Sequence, residues 1–376
     1  MASLNENYRL IETTGDLEQA ARDLSGEAWI CLDTEFVRVK TYFPKLCLLQ
    51  IGTMEQIWCI DAITCPSLEP IVPVLFDPKT VKVFHSAQQD LEVLQQFFGR
   101  VPAPLFDTQV AAAALGLGEQ ISYRELVVKC CGVELDKSHT RTDWSRRPLS
   151  PAQLRYATDD VAYLCRAYSW LRKDLSARQR LGWLEEDFSG IVSARESGNP
   201  VEDAWLKVRG HDALSRRELA ALMSLATWRE SVARERNRPR RWILSDESLL
   251  ELSRLEKTTI EKLAGVSGIN DRVIGRHGKR IVNLLQAARQ LAPDELPETG
   301  DNKRPSVEEN SLCDGLMKLI RSLADEQQMS PGFLATRADV VRLLRGQPGS
   351  RLEAGWRADL TRDRVRAYLA TTLGMS

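Results

Sequence analysis

Strand signals in this 376-residue chain end near Asp107, and that break constrains its fold more than any other feature. Before it, Ala28–Val37 is a largely apolar run with Trp29, Ile30, Cys31 and Leu32, readable as a buried strand. Leu46–Gly52 and Gln56–Ile60 read as two more strands, joined by a hairpin turn at Gly52-Thr53-Met54-Glu55, and Val81–Phe84 as a fourth. Helical periodicity falls between or after them, at Asp16–Leu24, Leu68–Phe76 and Gln89–Phe98. Strands and helices mixed in this order predict an α/β domain with a central sheet.

Beyond Asp107 only helices are predicted: Asp107–Leu115, Ser122–Cys131, Ser150–Leu175 and Arg178–Ser189. Ser150 before Pro151 is a cap followed by proline at the first helical position. Ser193–Asp203, with Gly198-Asn199-Pro200, reads as a linker. Residues 211–290 are helical throughout. Ser215–Glu235 is amphipathic, Asn237-Arg238-Pro239 ends it, and Ser245 starts the next helix. Thr258-Thr259-Ile260-Glu261 reads as a capping box. Arg272–Leu291 closes the unit, before a second linker rich in Pro, Asp and Glu.

Residues 306–376 repeat this plan loosely. Leu222-Met223-Ser224-Leu225 matches Leu316-Met317-Lys318-Leu319, and Trp242-Ile243-Leu244-Ser245 matches Phe333-Leu334-Ala335-Thr336, at intervals that differ by three residues. A divergent duplication is expected. The organisation is therefore a domain at 1–203, a helical module at 204–291, a linker at 292–305 and a second helical module at 306–376. A length of 376 residues with 43% hydrophobic content suits two or three cores.

Several classes are excluded. No run of about 18 apolar residues occurs, so no membrane helix is expected. Met1–Leu10 lacks a basic stretch followed by an apolar one, so no secretory leader is expected and the cytoplasm is the expected compartment. The eight cysteines (Cys31, Cys47, Cys59, Cys65, Cys130, Cys131, Cys165, Cys313) lack the short paired spacing of a zinc site, and only four histidines accompany them. Buried free thiols fit better. Charge is uneven: residues 1–200 carry 21 basic and 27 acidic side chains, net −6; residues 201–300 are net +3 and 301–376 net +2. An acidic first part suits a metal site and a basic remainder suits polyphosphate, although ordinary surface variation gives the same figures.

Three acidic segments carry the chemistry. Asp33 and Glu35 are two apart in a strand and share a sheet face, while Thr34 faces the other way. Asp90 lies in the first turn of the helix that follows Val81–Phe84, at the kind of strand-to-helix junction where an open sheet presents its site. Tyr156 and Asp160 are one helical turn apart on one face. Singly, each is equally a solvated strand end, a helix-dipole partner or a half-buried aromatic. Together they suit a phosphodiester. Four carboxylates largely balance two dications, which neutralise the phosphate, activate a water and stabilise the leaving oxygen. With a reference pKa near 10, a tyrosine orients the nucleophile better than it deprotonates it.

The segments Asp33-Thr34-Glu35-Phe36, His85 through Asp90 and Tyr156-Ala157-Thr158-Asp159-Asp160 resemble the DEDD 3′–5′ exonuclease superfamily, in the subgroup with Tyr-x-x-x-Asp as third motif. The text around them, Leu32–Phe36, His85 through Leu94 and Tyr156 through Leu164, is similar to the bacterial ribonuclease D family. Residues 211–290 resemble the helicase-and-RNase-D C-terminal (HRDC) module, and the last 70 or so a divergent second one. The resemblance implies an α/β ribonuclease H-like exonuclease domain, a mixed central sheet flanked by helices, followed by two all-α HRDC-type modules. It implies two divalent metal ions, Mg2+ or Mn2+, held by Asp33, Glu35, Asp90 and Asp160, with Tyr156 positioning the nucleophile. Thr34, Phe36 and His85 would then touch the terminal nucleotide, or His85 simply ends its strand. The implied activity is 3′-to-5′ hydrolysis of RNA to nucleoside 5′-monophosphates, tRNA precursors being typical substrates. No obligate protein partner is implied, and a monomer suffices.

A basic run supplies candidate RNA contacts. Arg229, Arg234, Arg236, Arg238, Arg240 and Arg241 crowd together, broken by Glu230 and Glu235 and ending at Trp242. Arg238, Arg240 and Arg241 are the candidates for forked bonds to phosphate, and Trp242 for stacking on a base. A solvated helix end with Trp242 in the core reads equally well. Gly265-Val266-Ser267-Gly268-Ile269 is either a backbone-binding turn or a tight helix connection. Two rivals stand beside the exoribonuclease: a DNA exonuclease using the same acids, and an inactive RNA-binding scaffold. Truncation near residue 205 is expected to leave activity on short oligomers but to weaken it on folded tRNA.

Overall fold

The computed structural model describes residues 7–135, 142–198, 200–298 and 306–373. The linker Asn199 and the acidic-to-basic stretch 299–305 lie outside them. The described residues form two compact units: 7–37, 45–196 and 306–373 make one, and 38–44 with 197–298 make the other.

The first unit is built on β1 (Tyr8–Ile11), α1 (Thr14–Leu24), β2 (Trp29–Val37), β3 (Lys45–Gly52), β4 (Ile57–Asp61), α2 (Val72–Leu75), β5 (Val81–Phe84), α3 (Gln88–Phe98), β6 (Leu105–Asp107), α4 (Thr108–Ala114), α5 (Tyr123–Cys131), α6 (Pro151–Ala177) and α7 (Leu181–Glu196). The strands order as β1-β4-β3-β2-β5-β6. The β2–β3–β4 meander is antiparallel, while β1, β5 and β6 join in parallel. The four expected strands and their hairpin turn are present. The short edge strands β1 and β6 add to them, so strand structure continues to Asp107. Leu68–Phe76 begins as a 3-10 turn, Glu69–Ile71, because Pro70 and Pro73 remove two amide donors. The α7 helix runs to Glu196, so the expected linker starts after Ser193–Glu196 rather than with it.

Helix α6 runs 27 residues from the reciprocal capping box of Ser150 and Gln153, with Pro151 at its start. One of its faces seals the sheet through Ala157, Val161 and Ala162, packed with Cys47, Leu48, Ile57 and Cys59. A Cβ on Gly52 would stand 3.1 Å from Val161 Cβ and 3.2 Å from Cys165 Sγ, so the helix rests on bare backbone there. All eight cysteines are free thiols.

The last helices, α13 (Val307–Glu326), α14 (Pro331–Leu334), α15 (Arg337–Leu344) and α16 (Gly355–Leu373), share a core with the α/β part. Cys313, Leu316, Ile320, Met329, Phe333 and Leu334 belong to the same buried cluster as Leu115, Leu184 and Phe188. Arg180 donates to the carbonyls of Ala114 (2.8 Å) and Gln327, Trp183 and Trp356 stack at 4.4 Å, and buried Arg357 holds Asp187 at 2.8 Å. A cut near residue 205 therefore strips cover from the α/β core, and the truncation expected above to stay active on short oligomers is no clean separation of modules.

The second unit is all-helical: α8 (Arg216–Glu235), α9 (Arg240–Ile243), α10 (Asp246–Ser253), α11 (Ile260–Leu263) and α12 (Asp271–Gln290) close over Leu222, Leu225, Leu249, Leu252, Ile281 and Leu285. Thr259, not Thr258, caps α11, accepting from the Lys262 amide, so Glu261 cannot complete the expected capping box. Gly268 lies in a left-handed turn (φ 79°) against Ser248, a tight connection between helices. No described helix is long and apolar enough to cross a membrane.

Candidate active site

Five side chains from three distant segments line one open cleft of about 340 Å³: Asp33, Glu35, Asp90, Tyr156 and Asp160. Strand β2 supplies the first two from its middle onward, just past its buried apolar run Ile30–Leu32. A bulge follows directly: Glu35 faces Leu48 but Phe36 faces Leu46, which redirects the strand as it leaves the sheet and puts Phe36 in the cleft wall. In register with Asp33 stands Gln50, whose amide donates to Asp33 Oδ2 at 3.5 Å.

Asp90 is fixed from β2 as well. Its Oδ1 accepts from the Thr34 amide at 3.1 Å and from the Thr34 hydroxyl at 2.6 Å. Thr34 points away from Asp33 and Glu35 along the strand, yet it reaches the cleft because Asp90 comes to meet it. The junction carrying Asp90 is itself tied down, since Asp107 accepts from the amides of Ser86 (3.0 Å) and Ala87 (2.9 Å). His85 lies in the cleft with both ring nitrogens engaged, Nδ1 with Thr108 Oγ1 at 2.9 Å and Nε2 with the Ile121 carbonyl at 3.2 Å. Only its ring remains to meet a ligand.

Helix α6 brings Tyr156 and Asp160 across from β2. Carboxylate oxygens of Asp33, Glu35 and Asp160 lie within 4.8 Å of one another, a group able to hold a metal ion; Asp90 stands just outside that group, turned toward Thr34. The Tyr123 hydroxyl donates to the Asp160 carbonyl, and the indole of Trp144 bonds Glu35 while packing 6.0 Å from the Tyr156 ring. Tyr123, Trp144, Gln50 and Asp107 escaped the sequence reading. They position other groups rather than form a spaced motif, and nothing in their local sequence marks them.

Like charges set the electrostatics. Burial, then Asp90, Asp160 and Glu35, push the Asp33 carboxyl well above the usual range. Burial, with Asp160 and Asp90, lifts Glu35 to about 9. Burial and Asp159 lift Asp160 to about 8. Asp90 rises less, to about 6, because the Thr34 hydrogen bonds favour its charged form against burial. Burial and the same acids raise Tyr156 above its ordinary value, so it is a neutral phenol at pH 7. Among the described residues, no lysine or arginine lines the cleft.

The remaining sequence candidates lie in the second unit. Arg238 is exposed, its guanidinium 6.0 Å from the centre of the Trp242 ring. Arg240 stands 3.7 Å from Glu230, and Arg241 3.7 Å from Asp246.

Residues 8–176 match a family model described as 3′–5′ exonuclease, and residues 218–285 match the HRDC domain. Ribonuclease D of Gluconacetobacter diazotrophicus is 36% identical over 362 residues, covering 95% of this chain and 92% of that protein. Ribonuclease D of Bartonella henselae is 33% identical over 380 residues, covering 100% and 93%. The crystal structure of Escherichia coli RNase D, described as an exoribonuclease involved in structured RNA processing, superposes with a TM-score of 0.87 at 31% identity, over 97% of this chain and 99% of that one.

Proposed function

We propose that this chain, which belongs to the ribonuclease D family of 3′–5′ exoribonucleases, hydrolyses RNA from its 3′ end with two divalent cations and releases nucleoside 5′-monophosphates. The observation that carries the mechanism is the meeting of four carboxylates and a neutral tyrosine in one cleft. Such crowded acids, with no basic side chain among the described residues of the cleft, favour a hard cation: all the donors are oxygens, and a cation would relieve the mutual repulsion that now resists their ionisation. Magnesium or manganese fits that donor set.

When bound, a pair of such ions neutralises the phosphodiester, activates the attacking water and stabilises the leaving oxygen. Asp33, Glu35 and Asp160 would hold them, with Asp90 contributing the oxygen that Thr34 leaves free. The Tyr156 hydroxyl, protonated at neutral pH, orients the attacking water without removing its proton. Thr34 and Gln50 fix the carboxylates, and Phe36 with the ring of His85 forms the wall against which the terminal nucleotide rests. Substrates are structured RNAs, tRNA precursors among them, which places the work in the cytoplasm of a cell and asks for no second subunit. The similarity to a structured-RNA exoribonuclease supports this choice of polymer.

The test is trimming of matched 3′-labelled RNA and DNA oligomers with magnesium or manganese. RNA should shorten from the labelled end and release mononucleotide, and a chelator should stop it. DNA trimmed as fast or faster would remove the RNA assignment. Asp33→Ala and Asp160→Ala should each abolish turnover in a folded protein; substantial residual turnover would show the ligand set to be misassigned.

A further inference from the structure

Sorting the arginines between Arg229 and Arg241 by what each already holds leaves two over. Arg229 is 0% exposed and donates to the Leu244 carbonyl (3.0 Å) and to Asp246 Oδ1 (2.7 Å). Glu230, equally buried, takes Arg234 at 3.9 Å and Arg240 at 3.7 Å and accepts the hydroxyl of Tyr42. Both guanidiniums also lie against the Tyr42 ring, at 5.7 and 6.0 Å. Arg241 reaches Asp246. These four hold their own module together, which argues against Arg240 and Arg241 as the RNA contacts expected from the sequence. Arg236 and Arg238 are exposed and meet no carboxylate among the described residues.

Two further observations gather around that pair. Trp242 is 58% exposed, more than any other aromatic side chain among the described residues, and Arg238 stands at its ring. On α12, Arg276 is exposed and unpaired among the described residues, and it shares with Arg236 the neighbourhood of His277. An indole left in water beside uncompensated guanidiniums suits a ligand that is flat, apolar on its faces and anionic at its edge. An unpaired nucleotide is such a ligand: its base stacks on an aromatic face and its phosphates take forked donors.

We propose that Trp242 and Arg238, continued by Arg236 and Arg276, form a binding site for an unpaired stretch of RNA. One base stacks on the Trp242 indole, and the three guanidiniums take flanking phosphates. The site rests on the exoribonuclease reading only for RNA being the chain's own substrate.

The experiment measures binding of the full chain in chelator, so that nothing is cleaved, to a hairpin RNA with an unpaired 3′ tail and to the same hairpin blunt-ended. Trp242→Ala should weaken binding of the tailed RNA about tenfold, and the blunt one far less, with Trp242→Phe recovering most of the loss. Arg236→Ala, Arg238→Ala and Arg276→Ala should each lower the slope of log K against log salt by roughly 0.7. Arg240→Ala should lower the melting temperature and leave that slope alone. The proposal is overturned if Trp242→Ala binds tailed RNA like the parent or loses both RNAs by the same factor. It is equally overturned if Arg240→Ala changes the slope as Arg238→Ala does, or if polyglutamate competes as well as RNA. A parent chain that trims DNA and binds no RNA sinks the exoribonuclease reading instead.

Discussion

The two helical modules are one scaffold put to two uses. Arg216 and Val307 open 20-residue helices, Arg240 and Pro331 open 4-residue helices, and Asp246 and Arg337 open 8-residue helices, every pair 91 positions apart. The left-handed residues after the long helices, Asn237 (φ 45°) and Gln328 (φ 52°), keep the same offset. At that spacing Arg238 corresponds to Met329 and Trp242 to Phe333. Met329 and Phe333 are buried in the core shared with the α/β part, whereas Arg238 and Trp242 face water. The same face is thus apolar and covered in one copy, basic and open in the other. A duplicated fold changes its partner by changing a few side chains on one strip, without touching the helices beneath.

The sharpest way to break this comparison is to remove one copy at a time. A chain ending at residue 298 uncovers Leu184, Phe188 and the Arg180 pocket, and should lose the cooperative melt of the α/β part and all trimming. Excising 200–298 should leave a cooperative melt by circular dichroism and trimming of short oligomers within a few fold. If the chain ending at 298 melts like the parent, the last module is merely appended.

Next in size are the two buried ion pairs. Asp187→Ala strands buried Arg357, and Asp246→Ala strands buried Arg229, each at a cost of about 3–5 kcal/mol. Hydrogen exchange should place the first loss in the α/β part and the second in the module at 204–291 alone; loss of protection in both parts from either change would show the modules to be coupled.

A pH effect separates the copies further. Burial raises the Asp339 carboxyl, but the Arg351 bond and the Thr336 cap outweigh it and hold it at about 2. Since the folded value lies below the ordinary one, its stabilisation is complete above about pH 4 and drains away as pH falls toward 2. Melting of the α/β part between pH 5 and 2 should show that loss, and Asp339→Asn should flatten it. The smallest effect expected is from Glu119→Ala, which removes an exposed acceptor for the Gly332 amide (2.6 Å) and should cost about 0.5–1.5 kcal/mol in urea unfolding. A cost several times larger would make that contact a second anchor of the module.

The acids were legible because the cation cage proposed for them asks for carboxylates at set points on strand and helix, and such points survive in linear text as Asp-x-Glu or Tyr-x-x-x-Asp. The groups that aim them were not. Trp144 reaches Glu35 from more than a hundred residues away, and Asp107, legible only as a helix start, also closes a three-residue strand too short to show a period. The duplication was visible but misaligned. Leu316-Met317-Lys318-Leu319 looks like Leu222-Met223-Ser224-Leu225, yet the helices place Cys313-Asp314-Gly315-Leu316 opposite it. Text matched similar letters, while packing matched position: Leu222 and Cys313 are both fully buried. The basic run was harder to read for a related reason. Composition counts arginines, but only partners reveal which are already occupied.

Gly52 lies where α6 crosses the sheet, and its missing methyl group sets the gauge between the two. Asp160 sits next to Val161, the residue that touches down there, so the span from the helix acid to the strand acids is inherited from that contact. A cage for small cations tolerates misfit of only a few tenths of an ångström. One hydrogen atom in place of a carbon, well behind the cleft and bearing no charge, thus acts as the shim that brings its far wall into reach.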